Sequence, residues 1–364
     1  MMRILVTGGA GFIGSTLLNT LVPRHPEHQF LNVDVLTYAA NPANLAVIEG
    51  RENYEFEQVD ITDEAGVRSV FDKWRPNCVI HLAAESHVDR SIHGPRAFML
   101  TNILGTFNLL EAARATWTEG EGLFHHVSTD EVYGSLADGE FFSEDSPYDP
   151  SSPYSASKAS SDHLVRSHGR TYNMPIRISN CSNNYGPMQF PEKLIPLMIG
   201  NLLKRRPLPV YGRGLNVRDW LHVSDHCEAI WAIVQHGTNG ESYNVGGNCP
   251  MRNIDVVYTL CALVAEATGT DEDELRSLVC FVEDRPGHDL RYAVDASKIA
   301  QELGVVPSRD FSDGLRSTVQ WYLQNQEWVQ AVTDGSYRDW IEQNYSSRAT
   351  ATISKDTSKN GPTP

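Results

Sequence analysis

Tyr154 and Lys158 stand one helical turn apart in Tyr154-Ser155-Ala156-Ser157-Lys158, behind Ser152 and Pro153, which read as the N-cap and first residue of a helix. A tyrosine that acts as a base must lose a proton it normally holds to a pKa of about 10. An ammonium on the same helix face favours the phenolate, and a second cation in the cleft adds to it. A shift of two to three units needs about 3–4 kcal/mol, which two close cations supply in a partly desolvated cleft. The second constellation is Ser128-Thr129-Asp130-Glu131-Val132-Tyr133-Gly134, at the end of a strand-like run. In an open α/β sheet that edge is where ligands bind. Two adjacent carboxylates there raise at least one pKa, as a general acid/base pair requires. The bland alternatives are a chance Y-x-x-x-K spacing and a solvated loop end.

A cofactor end precedes this chemical end. Gly8-Gly9-Ala10-Gly11-Phe12-Ile13-Gly14 follows the first strand pattern directly and opens a helix, with Gly8, Gly11 and Gly14 in G-x-x-G-x-x-G spacing. Such a turn lets backbone approach a pyrophosphate that the helix N-terminus then holds, although glycines in a tight turn can be purely structural. Asp34 ends the next strand twenty residues after Gly14. Its carboxylate can accept from an adenosine ribose and repels a 2′-phosphate. No Arg follows in Val35-Leu36-Thr37, so NAD is expected over NADP. Asp60-Ile61, after the third strand, is placed for the adenine edge, with a cap or turn role for Asp60 as the alternative. The positive nicotinamide ring is then the second cation near Tyr154.

The elements that must position these groups alternate. Strand-like runs are Arg3 to Thr7, Phe30 to Asp34, Tyr54 to Asp60, Cys78 to Leu82, Phe124 to Ser128 and Pro175 to Ile178. Helical patterns lie between them at Ile13 to Leu21, Glu64 to Trp74, Ala97 to Ala115 and Ser155 to Thr171. The alternation predicts an α/β fold: a doubly wound parallel sheet of Rossmann type with a smaller mixed α/β substrate domain. Leu221 to Asp225 reads as a strand returning to the first domain, with Asp225 as N-cap of a helix through Ile230 to Ile233. Helices are expected at Asp255 to Ala267 and Asp313 to Leu323. The division is residues 1–180 and 221–245 for NAD, and 181–220 and 246–345 for the substrate. Residues 346–364, rich in Ser, Thr and Lys, read as a disordered tail.

Composition sets the outer limits. The 364 residues carry 30 Lys+Arg against 46 Asp+Glu, a net charge of −16, with 41% hydrophobic residues. That excludes a wholly disordered or fibrous chain and disfavours nucleic acid, and an anionic substrate must be met by a few placed Arg and Lys. The start shows no signal-peptide pattern, and the most apolar later stretch, Leu194 to Leu203, is too short to span a bilayer. Six scattered cysteines without a C-x-x-C pair fit reduced thiols of a cytoplasmic protein. No metal is expected: His222 and His226 have ligand spacing but no accompanying carboxylate, and they straddle a strand end. His125 and His126 face opposite sides of a strand, so at most one enters a site.

On these residues the chain resembles the extended short-chain dehydrogenases/reductases, and within them the dTDP-glucose 4,6-dehydratases. The likeness runs from Met2 to about residue 345 and rests on Leu82 to Ser91, Thr129-Asp130-Glu131, Tyr154 with Lys158, Ser182 to Pro187, Asn216 to Trp220 and Arg285 to Asp289. Related epimerases share the glycine turn and Y-x-x-x-K but usually lack the Asp-Glu pair.

The resemblance implies that Tyr154, helped by Thr129 and Lys158, takes the proton of the sugar 4-hydroxyl as hydride leaves C4. Glu131 then removes the C5 proton while Asp130 protonates the departing C6 hydroxyl. It also implies NAD contacts at Phe12, Ile13, Asp34, Val35, Leu36, Thr37, Asp60, Ile61, Leu82, Ala83, Ala84, Glu85, Ser86, Thr101 and Asn184. Substrate contacts are implied at Ser86, Thr129, Asn183, Lys193, Leu194, Pro209, Val210, Tyr211, Arg218, Asn253, Asp284, Arg285, Pro286, Gly287 and His288. Arg218 and Arg285 suit a diphosphate, with a surface ion pair as the alternative for each. Val35 departs from the pattern, since relatives commonly carry Lys there. The apolar faces of Ala97 to Ala115 and Ser155 to Thr171 are either core or, as in this family, a homodimer face. The competing readings are a nucleotide-sugar 4-epimerase or decarboxylase on the same scaffold, and a non-catalytic NAD-sensing protein.

Overall fold

The computed structural model describes residues 1–333, 337, 340, 341, 344 and 345; the tail expected at 346–364 lies outside the described residues. Its first part contains β1 (Arg3–Thr7), α1 (Phe12–Arg24), β2 (Gln29–Asp34), β3 (Tyr54–Gln58), α2 (Glu64–Trp74) and β4 (Cys78–His81). Next come α3 (Val88–His93), α4 (Pro95–Phe98), α5 (Thr106–Thr116), β5 (Phe124–Thr129), α6 (Pro153–Tyr172) and β6 (Ile176–Cys181). Then follow β7 (Asn183–Tyr185), α7 (Leu194–Leu203), β8 (Leu208–Tyr211), β9 (Val217–His222), α8 (Val223–His236) and β10 (Ser242–Val245). The last described part has β11 (Pro250–Arg252), α9 (Asn253–Thr268), α10 (Glu272–Arg276), β12 (Val279–Val282), α11 (Ser297–Leu303) and α12 (Phe311–Gln324).

Seven strands form a sheet in the order β10-β6-β5-β4-β1-β2-β3, and every pair in it is parallel. Both faces are covered, as the near-continuous apolar runs require. On β1, Ile4 and Val6 pack with Leu17 and Leu21 of α1 and Ile230 of α8, while Leu5 packs on the other side with Phe71 of α2 and Leu109 of α5. The strand order reverses between β1 and β4, so a crevice opens beyond Thr7 and His81, which are paired in register.

Three local departures from the sequence reading matter. The helix expected over Ala97 to Ala115 is interrupted: Met99–Gly105 is a π-helical stretch between α4 and α5. The wider turn places Asn102 where its side chain accepts from the Glu85 N–H (2.9 Å) and donates to Glu85 O (3.0 Å) and Ser157 Oγ (2.8 Å). The strand expected over Leu221 to Asp225 ends at His222 and belongs to a small sheet, β11-β9-β7, rather than the large one. Finally, His222 caps α8 by accepting from the Ser224 N–H (3.2 Å), not Asp225. Asp225 instead accepts from Ser308 Oγ (2.6 Å) and the Arg309 N–H (3.2 Å), tying α8 to a later loop. β8 and β12 make a two-stranded parallel sheet, and α7, α9 and α12 enclose a separate core around Leu208, Val210, Leu260 and Leu315.

Candidate active site

A cavity of about 370 Å³ runs along the C-terminal edge of the sheet from the glycine turn to the Thr129–Glu131 turn. All the expected cofactor residues line it except Leu36. Leu36 adopts a left-handed φ of 61°, gives its N–H to Asp34 Oδ1 (2.8 Å) and packs its side chain on the core beside α1.

The glycine turn is a cradle that side chains would fill. A Cβ at Gly14 would fall 2.2 Å from the Gly8 carbonyl oxygen, and one at Gly8, whose φ is +72°, would fall 2.8 Å from the Ala83 backbone. Gly11 precedes α1 without any capping side chain, leaving the helix N-terminus open to an anion. Asp34 accepts from the Ala10 N–H (3.0 Å) as well as from Leu36, and each carboxylate oxygen keeps acceptor capacity for a hydroxyl. Burial raises its pKa above the usual range in spite of these two bonds. Asp60 accepts from the Thr62 N–H (2.8 Å) in a turn and also lines the cavity. The cap of α2 is Asp63.

At the other end, Ser152 and Ser155 form a reciprocal capping box, each backbone N–H donating to the other's Oγ at 3.0 Å. That fixes the start of α6 and with it Tyr154 and Lys158, both buried and both on the cavity. Lys158 Nζ donates to the Val127 carbonyl (2.9 Å) and lies 3.3 Å from His126 Nε2. Burial pushes the Tyr154 hydroxyl well above its usual pKa, the charge of Glu131 pushes the same way, and Thr129 pulls it only partly back. The expected lowering of Tyr154 is thus reversed in the protein alone, because desolvation outweighs an ammonium that is turned to Val127.

Thr129 caps the turn that follows β5: its Oγ1 accepts from the Glu131 N–H and donates to Asp130 Oδ1, each at 3.3 Å. Asp130 is 1% exposed and its Oδ2 has no hydrogen-bond partner among the described residues. Burial and then the charges of Glu131 and Asp219 push its carboxyl well above the usual range, which favours the protonated form. Glu131 is raised by burial too, but Arg285, Arg218 and Lys193 oppose that. The pair is therefore asymmetric, with a carboxyl that burial and like charge push toward its protonated form beside one that three cations favour ionised.

Among the expected substrate residues, Ser86, Thr129, Asn183 and Lys193 line the cavity, with Lys193 Nζ donating to Ser86 O (2.7 Å). Arg218 and Arg285 reach Glu131 electrostatically from beyond the cavity wall. Neither is a surface ion pair. Arg218 is 5% exposed, donates to the Val217 and Asp289 carbonyls (2.7 and 2.9 Å) and lies over the Tyr292 ring. Arg285 sits 3.7 Å from the buried Asp89, which also accepts from Tyr211 Oη (3.0 Å). Asp284 holds His288 Nδ1 at 2.6 Å, and Gly287 presses against Ser151 O, which a Cβ would approach to 2.7 Å. Pro209 and Pro286 are near these groups in sequence and, like Asn253, do not line the cavity. The side chains of Val210 and Leu194 pack in the core around α7 and α9, because alternation along β8 and the apolar face of α7 turn them inward.

Sequence reasoning missed Ser182, Gln189, Phe190 and Glu192, which also line the cavity. Glu192 accepts from Arg90 Nε (2.9 Å), and the Arg90 guanidinium is sandwiched between the rings of Tyr38 and Trp340. Only the tertiary fold brings those four segments together. Of the declined histidines, His226 Nδ1 meets Asn184 Oδ1 (2.9 Å), orienting a cavity-lining amide. Among the described residues one cluster has metal-ligand spacing, His25, Glu27 and His28. It lies outside the cavity, and His28 Nδ1 accepts from the Met2 N–H (3.4 Å), leaving the proton on the Nε2 that faces Glu27.

Residues 5–318 match the family model described as GDP-mannose 4,6 dehydratase. A dTDP-glucose 4,6-dehydratase of Neisseria meningitidis serogroup B is 55% identical over 348 residues, 93% of this chain and 98% of that protein. The Salmonella typhimurium protein of the same name is 51% identical over 362 residues, 95% of this chain and all of that one. Among solved structures, the dTDP-glucose 4,6-dehydratase DesIV from Streptomyces venezuelae, with NAD bound, superposes with a TM-score of 0.84 at 45% identity, covering 90% of this chain and 98% of that one. A UDP-glucose 4-epimerase of Thermus thermophilus, also with NAD, gives 0.79 at 31% identity, covering 89% of this chain and 100% of that one.

Proposed function

The chain belongs to the GDP-mannose 4,6 dehydratase family, and on that premise we propose that it converts dTDP-glucose to dTDP-4-keto-6-deoxyglucose and water, with NAD as a recycled cofactor. The sugar and nucleotide follow the relatives that are more than half identical over nearly the whole chain. The observation that carries the reaction type is the Thr129–Asp130–Glu131 turn, whose buried Asp130 carboxyl has an Oδ2 without a partner among the described residues and shares the cavity with Tyr154 and Lys158. A 4-epimerase needs a base at C4 but no acid for a departing hydroxyl.

The cradle of Gly8, Gly11 and Gly14, the open start of α1 and the Asp34 carboxylate fit an NAD dinucleotide. NAD bound there would supply a hydride acceptor for the C4 hydrogen and a hydride donor for C6. Tyr154, relayed by Thr129, accepts the proton of the 4-hydroxyl as C4 becomes a carbonyl; it does so as the phenolate, which burial and Glu131 disfavour in the protein alone and which Lys158 together with the positive charge of a bound nicotinamide would favour. The new carbonyl acidifies C5–H, and Glu131 takes that proton. Asp130 gives its own proton to the C6 oxygen, so the C6–O bond breaks and water leaves. Glu131 then returns a proton to C5 as C6 is reduced. Arg218, Arg285 and Lys193 supply the positive side that an acidic chain must set against a diphosphate.

In this reading the seven-stranded sheet carries NAD and the small sheets with α7, α9 and α12 carry the sugar nucleotide. Leu100, Leu104, Phe107 and Tyr172, each about 40% or more exposed on the π-helical stretch, α5 and α6, form the face of a homodimer. Sedimentation at micromolar concentration should give twice the chain mass, and a strict monomer excludes that face. The chain works in the cytoplasm, where six unpaired cysteines stay reduced; no helix among the described residues is long and apolar enough to cross a membrane.

The reaction is tested by offering dTDP-glucose, UDP-glucose and GDP-mannose separately and following loss of water by mass spectrometry. Only dTDP-glucose should turn over well, and a C4 deuterium should reappear at C6. An intact 6-hydroxyl, or loss of the label to solvent, overturns the assignment.

A further inference from the structure

Tyr154, Lys158 and Asp162 follow one another at four-residue spacing, a single stripe along α6. The third member takes no part in the proton transfers. Asp162 is 0% exposed, and its Oδ2 accepts from Ser128 Oγ (2.9 Å), Tyr148 Oη (2.9 Å) and Asn180 Nδ2 (3.3 Å). Its Oδ1 lies 3.2 Å from His126 Nε2, the nitrogen that also meets Lys158 Nζ. Asn180 Nδ2 is shared with the Thr129 carbonyl (3.2 Å). One carboxylate thus ties the helix of Tyr154 and Lys158 to the strand end that launches Thr129, Asp130 and Glu131.

We infer that Asp162 is a positioning residue for the oxidation step, a buried counter-charge that keeps the Lys158 ammonium protonated in a dry cleft and fixes the distance between α6 and the β5 turn. A buried ammonium is costly without a nearby negative charge. Burial lowers the Lys158 pKa, and Asp162 is the foremost charge opposing that. Burial alone would raise the Asp162 carboxyl, but His126, Lys158 and Ser128 more than offset it and hold it below the usual range. The other titratable groups facing this pair are His81 on β4, His126 on β5, Cys181 on β6, Tyr133 and Tyr148 after β5, and Arg166 on α6. His81 and His126 are both held neutral by burial and Cys181 stays a thiol, so Asp162 is the fixed negative charge among the groups that face Lys158.

The inference rests on the dehydratase reading, and the test separates the two. Wild-type protein, Asp162→Asn, Asp162→Glu and Tyr148→Phe are compared by single-turnover nicotinamide reduction against pH and by lysine-selective NMR titration of the Lys158 side chain. Asp162→Asn should bring the alkaline limb of reduction and the Lys158 titration down by about one unit or more, the conversion of tenfold into one pH unit. Reduction at alkaline pH should fall at least about tenfold while dTDP affinity stays within about twofold. Asp162→Glu should restore part of the shift. Tyr148→Phe keeps the carboxylate ionised and removes only one of its donors, so it should not lower the Lys158 titration; a fall equal to that of Asp162→Asn would make the hydrogen bonds rather than the charge the cause, and Asp162→Glu covers the case that Asp162→Asn does not fold. Failure of wild-type turnover sinks the dehydratase reading. Wild-type turnover with variant pH profiles that differ from it only by a uniform factor, and an unmoved Lys158, sinks the role of Asp162.

Discussion

The two ends of the cavity are made of different materials. The cradle is backbone: glycines too crowded for a Cβ, a helix start without a cap, and one carboxylate anchored by two N–H groups. The chemical end is side chains, with Asp130, Tyr154, Lys158 and Asp162 all buried and all ionisable. Shape decides whether a ligand enters the first. Charge that burial has displaced from its usual pKa decides what happens in the second.

The largest effects should come from the chemical end and should split by half-reaction. Tyr154→Phe removes the base for C4 oxidation, so no reduced nicotinamide should appear on adding dTDP-glucose, a loss of about 10²–10⁴-fold or more in single-turnover absorbance. Asp130→Asn keeps the shape but not the proton. It should oxidise C4 at near the normal rate and then stall, with reduced nicotinamide and a 4-keto-glucose intermediate accumulating as elimination slows about 10²–10⁴-fold. If Asp130→Asn instead blocks the first absorbance change with substrate bound, Asp130 serves oxidation or architecture, and the division of labour fails.

The cradle should break differently. At Gly14→Ala the new Cβ meets the Gly8 carbonyl oxygen and the Gly9 Cα at 2.2 and 2.7 Å, backbone atoms that cannot swing aside. NAD affinity should drop by about tenfold or more, each tenfold being about 1.4 kcal/mol. Activity should return at saturating NAD, because Tyr154 and Asp130 are untouched. A variant that binds NAD normally, or that saturating NAD cannot rescue, shows the two ends to be coupled rather than separate.

The same contrast explains what was legible in the sequence. The cradle is one contiguous heptad plus a carboxylate at a set distance, so residue types and spacing reveal it. Tyr154, Lys158, Thr129, Asp130 and Glu131 are likewise local motifs on a strand end and a capped helix. The arginine side was visible only through resemblance, since Arg218 and Arg285 come from β9 and the loop after β12 and meet across the small sheets. Glu192, Phe190 and the Arg90 sandwich carried no local pattern at all. Even so, His125-His126 and the third residue of the Tyr154 stripe were signals in plain view: strand alternation sends one histidine inward, and helical spacing sends Asp162 after it. The π-helical turn at Met99–Gly105 escaped because apolar periodicity cannot distinguish a wide turn from an ordinary one. The direction at Tyr154 escaped because a sequence states which charges are near but not how much water they lose.

The smallest effect is on stability, and it should take opposite signs at the two ends. Asp130 has a raised pKa in the folded protein, from burial first and from Glu131 and Asp219 next. Unfolded, it titrates at about 3.9. As pH climbs above that value the unfolded chain gives up this proton while the folded protein must keep it, so this group makes stability fall with rising pH until its folded pKa is passed. Asn carries no such penalty. Asp130→Asn should therefore gain stability relative to wild type as pH rises toward neutral, by about 1.4 kcal/mol for each pH unit between the unfolded and the folded pKa. The gap should close as pH falls to about 4, where the unfolded carboxyl is itself protonated. Asp34 is the control. It too is raised by burial, but each of its oxygens accepts a backbone N–H. An Asn there turns an NH2 toward one of those donors, so Asp34→Asn should lose stability at every pH. Urea unfolding midpoints at about pH 5 and about pH 7.5, all at the same NAD concentration, measure both. A midpoint for Asp130→Asn below wild type at the higher pH would mean that folding does not raise the Asp130 pKa, and that the chemical end, like the cradle, is not strained by its chemistry.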